Sequence, residues 1–155
     1  MMETRESVKE KIRRSFSSAP IPTSIVDVST GDRKFRAELH RALGGRDWSE
    51  ISPDVLTYHH DAIGFLEPAG AAYLLPAFMI AAIDSPSSPL IDVLVGALTK
   101  PFEQGEAKKF LERWSRLTRP QRDAVIAFLV FLNEGSPHDW PDREPLVAVD
   151  SYWRE

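Results

Sequence analysis

FLEPAGAAYLLPAFMIAAI, residues 65–83, carries a single charge, Glu67, in 19 positions, and no other window of the chain is as apolar. A helix that is apolar on every side has no face to offer water, so it belongs inside a protein or inside a bilayer. Glu67-Pro68 reads as a helix start, because proline suits the first turn, where its missing N–H costs nothing. Pro76, eight positions further on, removes one backbone hydrogen bond and presses on the carbonyl of Ala72. The expectation is two short buried helices, Pro68–Leu75 and Pro76–Asp84, meeting at a kink.

A membrane span needs about 20 consecutive apolar residues. This run barely reaches that length, is interrupted by Glu67, Pro68, Gly70 and Pro76, and lacks a flanking Lys/Arg cluster. It is therefore expected to be the core of a globular domain.

The rest of the chain supplies helices to cover it. Val8, Ile12 and Phe16 recur at i, i+4, i+8 in a charged N-terminal helix. The SSAPIP run at 17–22 breaks it, and Ile25, Val26 and Val28 suit a short extended segment before a turn at residues 29–32. Asp32 is placed to cap a helix bearing Phe35, Leu39 and Leu43, which Gly44-Gly45 ends. Ser52-Pro53-Asp54 starts another. Ser88-Pro89 opens a helix with Leu90, Val93, Leu94 and Leu98 on one face. A turn at Gln104-Gly105-Glu106 precedes a helix bearing Phe110, Leu111, Trp114 and Leu117. Thr118 and Gln121 have the spacing of a capping box ahead of Val125, Phe128, Leu129 and Leu132. A last short helix, Leu146–Trp153, pins the C-terminus through Tyr152-Trp153. The sum is one all-α domain spanning residues 1–155, with six to eight helices and, at its centre, the kinked apolar helix pair 65–84 packed against helix 119–133.

With the segments in place, a resemblance emerges. Tyr73-Leu74-Leu75-Pro76-Ala77-Phe78, the helix start Leu117-Thr118…Gln121-Arg122 and the terminal Tyr152-Trp153 resemble a family of small bacterial proteins of unknown function. The resemblance implies a single helical domain and brings no catalytic residues with it.

Composition narrows the chemistry. There is no cysteine, which excludes disulfides, thiol catalysis and thiolate metal sites and fits a reducing cytoplasm. The N-terminus lacks the apolar run of a secretory signal. Residues 1–46 hold ten Lys/Arg against six Asp/Glu, and residues 47–155 hold nine against seventeen. The basic residues of the first part alternate with acids, so no nucleic-acid surface is expected. The Gly-x-Ser-x-Gly elbow, phosphate-binding glycine loops and His-Glu-x-x-His are all absent. No cofactor is expected.

Two clusters remain. Tyr58-His59-His60-Asp61, with Glu67 further on, holds imidazoles and carboxylates suited to a metal or an acid–base site. Neighbouring residues of a helix point about 100° apart, so His59 and His60 cannot grip one ion from one face. Such a site needs His60 with Glu67 across the turn, or help from His40 or His138. The plainer readings are a hydrogen-bonded surface histidine and a carboxylate at a helix N-terminus. The second cluster is the acidic tail, residues 134–155, where six acids face two arginines and Trp140, Tyr152 and Trp153 lie among them. Aromatic anchors in an acidic surface suit a basic protein partner, with Trp140, Asp142, Tyr152 and Trp153 as the binding set. Core packing of the same rings is the competing account. The leading expectation is a protein-binding accessory module; the alternative is an enzyme using His59, His60, Asp61 and Glu67.

Overall fold

The computed structural model describes residues 3–17, 20–26, 32–85, 88–135 and 140–155. These form helices α1 (Arg5–Phe16), α2 (Arg33–Leu43), α3 (Pro53–Tyr58), α4 (Pro68–Asp84), α5 (Ser88–Ala97), α6 (Gln104–Trp114), α7 (Arg119–Glu134) and α8 (Glu144–Ala148). Single 3-10 turns stand at Trp48–Glu50 and Ala62–Gly64, and a π-helical turn at Val149–Trp153 follows α8. No strand occurs among the described residues, and Ile25 and Val26 form a buried bend instead. Val28, the turn at residues 29–31, His138 and Asp139 lie outside the described residues.

The apolar stretch is the centre of the molecule, with every residue from Gly70 to Met79 buried. It is one helix of 17 residues, not the two that Pro76 suggests. Burial on all sides holds the helix together across the missing hydrogen bond. α4 packs on α1, α3, α5, α6 and the Trp48 turn, while α7 packs on α1, α8 and the π turn. α1 therefore lies against both buried helices through Val8, Ile12 and Phe16.

Local signals set the helix ends. Asp32 accepts from Phe35 N–H, Ser52 from Val55 N–H, and Thr118 and Gln121 complete the reciprocal capping box. α6 begins earlier than the Gln104–Glu106 turn implies. Glu103 caps it by accepting from the N–H groups of Gly105 and Glu106 at 3.0 and 2.7 Å. Those bonds hold the Glu103 carboxyl below its ordinary pKa.

The tryptophans close the other ends. The last carbonyls of a helix have no partner within it. Trp48 donates its indole N–H to Phe16 O at the end of α1, and Trp140 to Leu132 O in the last turn of α7. Trp114 and Trp153 donate to Ala97 O and Leu98 O, where α5 ends. All four indoles of the chain thus tie a helix C-terminus to another part of the fold.

Candidate partner-binding groove

The histidine cluster does not assemble. His60 places Nδ1 3.1 Å from Thr57 O, within its own turn, and His59 lies edge-on to the exposed Tyr58 ring at 4.8 Å. Asp61 points to solvent. Glu67 is the N-cap residue of α4, yet its side chain makes no capping bond; its backbone N–H donates to Ile25 O at 2.7 Å. Among the described residues no three His, Asp or Glu side chains converge on a position that could hold an ion. The metal alternative, including its weak pair His60 and Glu67, therefore has no built site there. His60 is engaged by its own turn through Thr57 O, and the His59 ring lies against the neighbouring Tyr58.

The acidic tail divides by burial. Trp153 is fully buried, with its indole N–H 2.8 Å from Leu98 O, and Tyr152 is 9% exposed. Both rings stack edge-on around Phe110. Arg122 clasps this end, donating to Glu155 O at 2.7 Å with its guanidinium 4.7 Å above the Tyr152 ring. Tyr152 and Trp153 thus face the core and offer no ring to a partner. Trp140 and Asp142 stand elsewhere, on an open groove.

That groove lies between the end of α5 and α8. One part, about 630 Å³, is bounded by Asp92, Val95, Gly96, Trp140, Asp142 and Glu144. The adjoining part, about 730 Å³, runs past Lys100, Phe102, Gln104, Asp150 and Ser151. Both share Thr99, Pro101 and Val147, so the two are continuous. The walls are fixed by the Trp153 bond to Leu98 O and by Ser151, whose hydroxyl accepts from Lys100 N–H at 2.9 Å and donates to Ala148 O at 2.6 Å.

The lining is unusual for a solvent-facing surface. Phe102 is fully exposed and Val147 is 55% exposed. Four carboxylates, Asp92, Asp142, Glu144 and Asp150, surround them against one lysine, Lys100. Gly96 leaves open space where a side chain would project, which deepens the α5 side. Phe102 escapes a reading by periodicity, since it sits between the Lys100-Pro101 stop and the cap of α6. Its only sequence signal is a bulky ring in a proline-flanked loop.

The fold and this groove define a class: a single-domain, all-helical protein with an acidic, apolar recess and, among its described residues, no group of three side chains placed to hold a metal ion. A model described as a family of unknown function, DUF6714, matches residues 4–155, and the chain belongs to that family. No curated protein and no solved structure matches the chain. No helix among the described residues is long and apolar enough to cross a membrane.

Proposed function

We propose that the protein acts by binding another protein, as an accessory or regulatory module of a bacterial cytoplasm, and that the partner enters the α5–α8 groove. One observation carries the reading: a fully exposed phenylalanine and a largely exposed valine flank a recess whose charged lining is four acids to one lysine. Exposed apolar side chains inside a charged rim are the arrangement of protein-binding surfaces, where burial supplies affinity and the rim steers approach. Trp140 and Asp142 belong to this surface. Trp153 supports it from beneath through its bond to Leu98 O.

Gly96→Arg is the direct test. Its side chain meets open space, so the fold should persist, while the groove is filled and its charge is partly reversed. Wild-type protein used to capture partners from its host lysate should retain a stoichiometric protein that the variant loses, and raised salt should weaken the capture. Equal recovery by both proteins would place the interaction elsewhere.

A further inference from the structure

A second recess opens where α1 ends, α4 begins and α6 turns into α7, and it shares no residue with the α5–α8 groove. Its volume is about 310 Å³, at the lower end of small-molecule sites. The floor is apolar: Phe16, Ala72, Tyr73 and Leu117 are each at most 9% exposed. The Tyr73 hydroxyl is spent on Trp48 N–H and Arg46 O, so its ring contributes apolar surface. Pro20, Ile21 and Pro22 form one wall, and Ile21 is left 48% exposed. Two polar side chains border this floor, and local bonds hold both. Gln121 Oε1 accepts from Thr118 N–H at 2.9 Å in the capping box of α7, which leaves the amide nitrogen without a partner among the described residues. Arg116 Nε donates to Glu112 O at 3.3 Å, while its terminal nitrogens make no hydrogen bond or ion pair among those residues. Arg116 is exposed and Gln121 half-buried, so a ligand entering from solvent meets both.

From this arrangement we infer that the recess binds a small apolar acid, a short hydrocarbon chain ending in one carboxylate. The hydrocarbon covers Ile21 and the floor beside it, and the carboxylate accepts hydrogen bonds from Arg116 and Gln121. Charge selects the sign of the ligand. Arg116 is the only charged residue among the described lining, and the acids nearest to it in sequence, Glu112 and Asp123, do not line the recess. Asp123 is instead paired with Arg119 at 3.3 Å. A guanidinium presents a planar fork that matches a carboxylate. One cation balances one negative charge, so a dianionic phosphate is matched less well and a cationic ligand is opposed. The small volume selects a free acid over a helix or strand of a partner. Binding here requires nothing of the α5–α8 groove.

The probe is octanoate, titrated into the isotopically labelled full-length protein and followed by NMR. Saturable shifts are expected at Ile21, Leu117 and the Gln121 side-chain amide. Octanol should bind more weakly at the same residues, and octylamine more weakly still. Arg116→Gln should weaken octanoate binding about tenfold, the effect of losing roughly 1.4 kcal/mol, and so narrow the gap between octanoate and octanol. Ala69→Glu is the second variant. Ala69 is an exposed lining residue in the first turn of α4, where the helix dipole favours an acid, so the fold should persist. The added charge opposes the carboxylate and should weaken octanoate as well. Absence of saturable shifts at the lining residues, or shifts confined to the α5–α8 groove, overturns the site. Equal affinity for octylamine overturns the acid as its ligand. Weakened octanoate binding in Ala69→Glu, with none in Arg116→Gln, overturns the role of Arg116.

Discussion

At the scale of single residues, two positions show how far the core depends on backbone contact. Gly70 lies in the first turn of α4 against the bend at Ile25. A Cβ there would fall 2.8 Å from Ile25 Cα and 2.9 Å from Ile25 O, both backbone atoms that cannot swing aside. Alanine would gain about 1 kcal/mol of helix propensity. Overpacking against fixed backbone costs about 1–3 kcal/mol and also threatens the bond from Glu67 N–H to Ile25 O. Gly70→Ala should therefore lower stability by about 1–2 kcal/mol in urea denaturation. A midpoint at or above wild type would show that the Ile25 bend is free to move off the helix.

Tyr73 is the second such residue. Its hydroxyl accepts from Trp48 N–H at 3.1 Å and donates to Arg46 O at 3.2 Å, so it joins α4 to the Trp48 turn. Burial raises its pKa above the ordinary 10.0; the bond from Trp48 N–H opposes that rise, and the nearby charges of Asp47 and Glu50 add to it. Because the folded pKa exceeds the unfolded one, the neutral hydroxyl contributes fully below the unfolded value. That contribution is lost as pH rises through the folded value. Wild-type stability should thus fall above pH ~10, and Tyr73→Phe should remove that part of the fall. At neutral pH the same variant should cost about 1–2 kcal/mol, because the buried Trp48 N–H loses its acceptor. Identical alkaline profiles for the two proteins would exclude Tyr73 as the source.

At the scale of elements, legibility follows from whether a signal is local. Caps and stripes are local, so Asp32, Ser52, Thr118 with Gln121, and the Val8–Ile12–Phe16 face can be read from spacing alone. Pro76 misleads because its penalty is local while the burial that overrides it is tertiary. Gln104-Gly105-Glu106 misleads for a related reason: a preceding glutamate supplies the acceptors that let the helix start through a glycine. The acidic tail is equivocal in sequence, since aromatics among acids suit both a displayed surface and a clamp. Only packing separates Trp153, fully buried, from Phe102, fully exposed. The clamp gives a prediction for α8 and the π turn. Trp153→Phe keeps most of the apolar volume and loses the indole N–H, leaving Leu98 O without its donor. The cost should be about 1–3 kcal/mol, against about 3–5 for Trp153→Ala. Hydrogen exchange of residues 144–155 should quicken in Trp153→Phe more than exchange in α1. Uniform quickening would mean that the C-terminal segment opens only with the whole domain.

At the scale of the whole molecule, the N-terminal helix is joined to the centre by one charged pair as well as by its apolar stripe. Lys9 is 8% exposed, and its Nζ lies 2.6 Å from Asp84 Oδ1 at the last residue of α4, with Glu6 at 3.8 Å. The ammonium also faces the C-terminal end of α4, where the helix dipole favours a cation. Taking a lysine out of water is costly, and the pair offsets that cost without necessarily exceeding it. The two halves of the pair should therefore respond unequally. Asp84→Ala leaves the buried cation only the longer contact to the exposed Glu6 and should cost about 1–3 kcal/mol, short of a fully buried pair because the Asp84 side chain is 33% exposed. Lys9→Met keeps the stem that packs between α1 and α4 and removes the charge, so its effect should lie within about 1 kcal/mol of zero. In the double variant Asp84→Ala should cost less than it does alone, because no cation remains to be stranded. Thermal and urea unfolding of the four proteins gives that comparison. Equal and additive losses would make the pair a surface salt bridge in energetic terms and leave the placement of α1 to Val8, Ile12 and Phe16.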